Sequence, residues 1–153
     1  MADPELSRID REIEIKASPE RVWRALTTPE ELGAWFQVKV EGDIAAGQEV
    51  WMTSLHEGYV GQRFRVLFVE LTPFVRVAWE WHPGEVEPDF DYSQEKRTTV
   101  TFTLEPAGAG TRLRMSETGF DAISLARRAK VYKDNSQGWT EVLVWIQKYA
   151  EKG

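Results

Sequence analysis

Two histidines, one inward-phased glutamate and one asparagine bound the chemistry this chain can do. His56 falls in phase with Val50, Met52 and Ser54 on an alternating run, which points it inward near a strand end. His82 shares its phase with Arg76 and Glu80 and points outward. Neither histidine has the spacing of a metal site, and no His-x-x-x-His pair occurs. No nucleophile elbow is present, Gly58 and Gly61 are too sparse for a dinucleotide loop, and no Walker pattern exists. With no cysteine there is no thiolate nucleophile, disulfide or Cys-based zinc site, and no cofactor is called for. Both histidines read as ordinary polar residues at strand ends. The acidic run Glu85, Glu87, Asp89 and Asp91 lacks the ligand order of a calcium loop and reads as a solvated hairpin tip.

Glu117 continues the inward phase of Leu113 and Met115. A carboxylate there lies at the rim of the covered face or inside it, and needs a cation or a donor. Asn135 or Tyr132 can supply the donor. Two readings stand: Glu117 anchors a ligand's polar end, or the strand stops before it and it caps the turn at Gly119. The second is the more ordinary. As a general base, Glu117 or His56 would have to lie inside a pocket, within reach of a substrate.

The element that must position Asn135 is a long amphipathic helix from Ser124 to Lys152. Trp139, Leu143, Ile146 and Ala150 recur at three- and four-residue steps, with Val142 and Tyr149 beside them. The same face extended backward gives Ser136, Asn135, Tyr132 and Ala129, so the stripe turns small and polar, with Gly138 next to it. Asn, Ser and Gly weaken a helix interior by about 1–2 kcal/mol together, relative to Ala. Such residues suit a helix that covers a cavity; a tolerated kink or a solvent-filled groove explains them equally well.

Upstream, Ile9, Arg11, Ile13 and Ile15 alternate with charged residues as a half-buried strand. Ser18-Pro19 starts a first helix, and Thr28-Pro29-Glu30-Glu31 starts a second with Thr28 and Glu31 spaced as a capping box, ending near Trp35. Strands follow at Phe36, Val38 and Val40; at Val50, Met52 and Ser54; from Gln62 to Leu71, where a blurred alternation predicts a bulge; at Val75, Val77, Trp79 and Trp81; at Thr98, Val100, Phe102 and Leu104; and at Leu113, Met115 and Glu117. Residues 83–95 are an acid-, Gly- and Pro-rich loop, and Ala107-Gly108-Ala109-Gly110 is a hairpin turn. The order is strand, two helices, six strands, long helix. Consecutive strands joined by turns make an antiparallel sheet. A helix of about 27 residues, rising about 1.5 Å each, is long enough to cover it.

The 153 residues fit one α+β domain spanning 1–153. Seven Trp, seven Phe and four Tyr supply a large core and suit an apolar pocket lining. A net charge of −6 argues against nucleic acid or an anionic membrane as partner. Arg127, Arg128 and Lys130 read as a solvated helix face. An acidic N-terminus and no membrane-length apolar run predict a soluble, cytoplasmic protein.

Ser18-Pro19-Glu20-Arg21-Val22-Trp23 and Thr28-Pro29-Glu30-Glu31-Leu32-Gly33-Ala34-Trp35-Phe36 resemble the opening of the SRPBCC (START/Bet v-like, helix-grip) superfamily. Val77-Ala78-Trp79-Glu80-Trp81, Thr98 to Leu104, Gly110-Thr111-Arg112-Leu113, Glu117-Thr118-Gly119-Phe120 and Gly138-Trp139 with Leu143 resemble its branch named for the activator of the heat-shock-chaperone ATPase. The resemblance runs from about residue 8 to 152. It implies a helix-grip fold, with a curved antiparallel sheet wrapped around the C-terminal helix, and for function a stress-response setting and a chaperone partner as one option.

The main functional expectation is a non-enzymatic binder of a small hydrophobic molecule, lipid-like or aromatic, held between sheet and helix. Its lining is expected from Phe36, Met52, Ser54, Trp79, Trp81, Phe102, Met115, Glu117, Tyr132, Asn135, Ser136 and Trp139. The alternative is a protein-interaction module modulating a chaperone ATPase through the acidic 85–95 loop or the Arg127/Arg128/Lys130 patch. A cyclase-like or hydrolytic enzyme comes third.

Overall fold

Alternating strands that each hide one face, followed by one long helix, fold into a single sheet with the helix laid across it. The computed structural model describes residues 7–83, 91–92 and 95–153. The strands are β1 (Arg8–Ile15), β2 (Val38–Glu41), β3 (Glu49–Ser54), β4 (Arg63–Thr72), β5 (Arg76–Trp81), β6 (Thr98–Ala107) and β7 (Gly110–Thr118). The helices are α1 (Pro19–Thr27), α2 (Pro29–Phe36) and α3 (Leu125–Glu151), with a 3-10 turn at Phe120–Ala122 before α3. The sheet runs β1-β7-β6-β5-β4-β3-β2, and every neighbouring pair is antiparallel. This is the α+β helix-grip fold: an open, curved antiparallel sheet, two short helices after its first strand, and a long C-terminal helix in its concavity.

The local signals act as read at several points. Ser18 caps α1 by accepting from the Arg21 N–H at 3.2 Å, with Pro19 opening the helix. The register of β4 against β5 shifts between Phe68 and Glu70, the bulge that its blurred alternation predicts. Trp139, Val142, Leu143, Ile146 and Ala150 are all buried on the underside of α3.

Other boundaries differ, each for a physical reason. The capping box does not form: Thr28 makes no side-chain capping bond, its N–H donates to the Arg24 carbonyl at 3.0 Å, and the Glu31 carboxylate pairs with Arg21 at 2.6 Å and accepts from the Tyr149 hydroxyl at 3.0 Å. Phe36 closes α2 and does not start a strand; Gln37 follows it as a left-handed cap at φ 59°. Val75 lies in the turn before β5 and is exposed. His82 follows the end of β5, so strand phase no longer governs it; it is buried against Tyr92, ring centroids 5.6 Å apart. Glu85, Glu87 and Asp89, most of the acidic loop, fall outside the described residues.

Two close approaches set the frame around the helix. A Cβ at Gly33 would stand 2.6 Å from the Val38 carbonyl oxygen, so only glycine lets α2 sit this tightly on β2. At the opposite edge, α3 closes β1 with side chains. Tyr132 donates to the Arg8 carbonyl at 3.0 Å, Gln147 to the Glu14 carbonyl at 2.8 Å, and Glu151 accepts from the Lys16 N–H at 2.8 Å. An edge strand whose free backbone groups are taken up in this way offers little to a foreign strand.

Candidate functional site

The space between sheet and helix is where a ligand was expected, and aromatic side chains occupy it. Trp79 stands at the centre, with ring centroids 5.2 Å from Phe102, 5.5 Å from Trp81, 5.8 Å from Phe68 and 6.2 Å from Phe36. Trp139 reaches down from α3 to Trp81 at 6.0 Å and to Phe102 at 5.8 Å. Met52 and Met115 are buried in the same core. Contacts of this kind are the ordinary close packing of an interior.

Glu117 lies under this stack, fully buried. β7 continues to Thr118 and so carries Glu117 into the interior; it does not cap the turn at Gly119. One carboxylate oxygen, Oε1, accepts from Asn135 Nδ2 at 2.9 Å and from Trp139 Nε1 at 2.8 Å. The other, Oε2, accepts from Trp81 Nε1 at 2.8 Å and from the Thr98 hydroxyl at 2.6 Å. The four donors are uncharged. Two come from α3 and two from β5 and β6, so the carboxylate ties the helix to the sheet at a single point. Charge-assisted bonds of this type are roughly twice as strong as neutral ones, and in a water-poor interior they keep most of that strength. A buried carboxylate with its acceptor capacity filled by the fold is a fastening, with little left to offer a substrate as a base.

The remaining expected residues separate into groups. Phe36, Trp81, Asn135 and Trp139 line a small pocket of about 100 Å³ together with Asp134, Gly138 and Val142. Ser136 faces β1 instead, where its hydroxyl and carbonyl oxygens accept from Arg11 at 2.8 and 2.9 Å. The Tyr132 ring packs edge-on against Phe120, and its hydroxyl serves the β1 edge. The Ser54 hydroxyl accepts from the His56 N–H at 3.3 Å. Ala129 is exposed, because the buried ridge of α3 runs through Arg127, Val131, Asn135 and Trp139 in steps of four.

A larger concavity lies outside, along the flank of α3. This cleft of about 680 Å³ is bounded by His56, Tyr59 and Gln62 on one side and by α3 residues from Ala126 to Trp145 on the other. It shares Asp134, Asn135, Gly138 and Val142 with the small pocket, which therefore opens from its floor. His56 is held by Gln37, Nδ1 to Oε1 at 3.0 Å, between the rings of Tyr59 and Trp145. The loop between β3 and β4 exposes Leu55, Tyr59 and Val60. Sequence phase pointed His56 toward the interior; it stands at the mouth of the cleft.

Gly138 was visible in the sequence as a weak point in the helix, and the structure gives it a place. A methyl group there would meet no heavy atom within 4 Å. Gly138→Ala is therefore expected to stabilise the fold by about 0.8–1 kcal/mol, the helix-propensity difference, with no packing penalty. Chemical denaturation of the two proteins checks this; a loss of stability would mean that the space is not open.

The basic cluster at the start of α3 is a solvated face at Lys130, whose side chain is 81% exposed, but not at Arg127. Arg127 is buried, pairs with Glu95, donates to the Pro83 carbonyl at 2.7 Å and lies 5.0 Å from the centroid of the Tyr92 ring. Arg128 donates to the carbonyls of Asp121 and Ile123, each at 2.8 Å, and Lys130 pairs with Asp134 one turn on at 2.6 Å. These contacts fasten the first turns of α3. Among the described residues, no group of three His, Cys, Asp or Glu side chains is placed to hold a metal ion. None of the described helices is long and apolar enough to cross a membrane.

A family model described as "Activator of Hsp90 ATPase homolog 1-like protein" matches residues 16–151. The chain belongs to this family. Solved structures repeat the fold over nearly the whole chain. Protein MLL2253 from Mesorhizobium loti is 25% identical, with a TM-score of 0.74, covering 95% of this chain and 97% of its own. The Aha1 dimer from Colwellia psychrerythraea is 22% identical, with a TM-score of 0.71 and coverages of 94% and 96%. A protein from Arthrobacter aurescens is 15% identical, with a TM-score of 0.76 and coverages of 100% and 91%. No curated protein matches the chain. The family is described by its effect on another protein's ATPase.

Proposed function

We propose that the chain is a protein-interaction module that modulates a chaperone ATPase of the Hsp90 class. The observation that carries this reading is the location of free space. The interior is taken up by its own aromatic rings and by the Glu117 fastening, whereas the larger concavity is an open cleft on the surface. Beside that cleft the loop shows Leu55 at 56%, Tyr59 at 56% and Val60 at 69% exposure, three large apolar side chains within six residues. Exposed apolar groups with a polar surround are what a partner surface requires. Membership of the activator family adds the class of partner. Titration calorimetry against the host's own Hsp90-class chaperone tests the reading. Binding by the wild-type chain, weakened about tenfold or more by Leu55→Ser/Tyr59→Ser/Val60→Ser, is expected; equal binding by that variant would remove the loop from the interface, and no binding by either protein would end the proposal.

One observation favours a second, narrower reading. The pocket of about 100 Å³ under Gly138 is lined by Phe36, Trp81, Trp139 and Val142, and the Asn135 carbonyl oxygen is not used by Glu117. That volume suits a group of a few carbons and is too small for a lipid chain. A thermal-shift screen of small apolar molecules addresses it, with Gly138→Leu as the blocked control. Stabilisation of the wild type but not of Gly138→Leu is the expected pattern. Stabilisation of neither protein would argue against a ligand.

A further inference from the structure

The cleft along α3 carries a charge that the fold leaves uncompensated. Arg127, Lys130, Asp134 and Glu141 are the acidic and basic residues of its lining. Arg127 is paired with Glu95, and Lys130 with Asp134. Glu141 is exposed and makes no ion pair or hydrogen bond with any described residue. Glu57, beside His56 in the loop between β3 and β4, is exposed and likewise unpaired among the described residues. On α3 itself the lysines on either side, Lys133 and Lys148, stand about 10–12 Å away along the helix, at the range where salt screens exposed charges. Aromatic rings flank the carboxylate. Trp145, one turn beyond Glu141, has its ring 5.1 Å from that of His56, which in turn stacks nearly parallel on Tyr59 at 5.9 Å. One turn before Glu141, at Gly138, the pocket of about 100 Å³ opens from the cleft floor.

We propose that the cleft docks an extended segment of a protein partner in which a small aliphatic side chain enters this pocket and an arginine two residues away meets Glu141. The proposal rests on the reading of the cleft as a partner surface and supplies the partner's chemistry. In an extended chain, side chains two residues apart share one face at a spacing of about 7 Å. Gly138 and Glu141 are separated by about 5 Å along the helix axis, and the long arginine stem spans the difference. A guanidinium fits the site better than an ammonium does. Its plane stacks on aromatic rings while its edge meets a carboxylate at two points. The pocket admits a side chain of a few carbons, of valine size, and excludes an aromatic ring with its neighbours in place. Charge sets the sign of the segment: an acidic one would face Glu141 and Glu57 together, and like charges brought into contact reject a wrong partner.

The test uses the full chain and a short fluorescein-labelled glycine–serine peptide carrying a valine and an arginine two residues apart, read by fluorescence anisotropy at low salt. Glu141→Lys should weaken binding by about fivefold or more, and a peptide with glutamate in place of the arginine should bind Glu141→Lys better than it binds the wild type. Gly138→Leu, which fills the pocket, should weaken binding by about fivefold or more, as should glycine in place of the peptide's valine. Asp43→Lys, at the far end of the β2–β3 hairpin, should leave binding unchanged. Retained affinity in Glu141→Lys and Gly138→Leu, or an equal loss in Asp43→Lys, would overturn the proposal. So would self-association of the chain that Glu141→Lys abolishes, which would give the cleft to a second copy, or displacement of the peptide by an equal concentration of isoamylamine, which would make it a site for free amines. Titration of the chaperone separates the two readings. Chaperone binding that survives both Glu141→Lys and Gly138→Leu overturns this proposal and leaves the chaperone reading standing; peptide binding without chaperone binding does the reverse.

Discussion

Glu117→Leu is expected to destabilise the fold by about 3–5 kcal/mol, the upper end for a single substitution. The change removes one carboxylate and strands four donors. The two indole N–H groups cannot turn to water, because Trp139 is buried and Trp81 is wedged among Trp79, Phe36 and Phe64. The Thr98 hydroxyl can rotate and Asn135 is partly exposed, so those two recover some of the loss. Glu117→Gln keeps the shape yet places an amide N–H₂ against two donors in either orientation; a loss of about 2–3 kcal/mol follows. Asn135→Leu removes one donor only and should cost about 1–2 kcal/mol in the protein without ligand. Urea unfolding of the three variants gives the order directly. A double substitution at Glu117 and Asn135 should cost less than the sum of the singles, because the two share a bond. Additive losses would mean that the contact carries no energy.

Arg127→Met should cost about 3–5 kcal/mol, because it leaves Glu95 buried with no countercharge. Replacing both members, Arg127→Met with Glu95→Leu, should recover most of that loss, since a packed apolar pair often equals or exceeds a buried ion pair. The recovery distinguishes this account from a solvated face, on which either single change would fall within about 0.5 kcal/mol. Thermal unfolding of the three proteins decides between them.

The element order was legible in the sequence because period two and period 3.6 are strong signals in this chain. Six strands follow the two short helices where alternation places them, and α3 runs within one residue of its expected ends. The bulge in β4 showed as a break in phase. Arg127 was harder to read, since Arg128 and Lys130 beside it make the segment look uniformly solvated. Its signal was the ridge: Trp139 taken back in steps of four gives Asn135, Val131 and Arg127, whereas steps of three and four toward Ala129 follow the wrong side. His82 misled because strand phase stops at Trp81. For Glu117, Asn135 was legible as a donor from helical phase. Trp81 and Trp139 were read as apolar wall, and hydropathy hides that each indole carries one N–H that must be paired when buried. Two inward tryptophans facing an inward carboxylate were the missed clue. The filled interior was beyond the sequence, since side-chain packing decides whether an aromatic stripe lines a cavity or occupies it.

The measurement that bears most directly on function is the ATP turnover of the host's Hsp90-class chaperone as this chain is titrated into it. A saturable change in rate is predicted, reduced in parallel with binding by Leu55→Ser/Tyr59→Ser/Val60→Ser. A rate that stays flat to saturating protein, with no complex detected, would contradict the account.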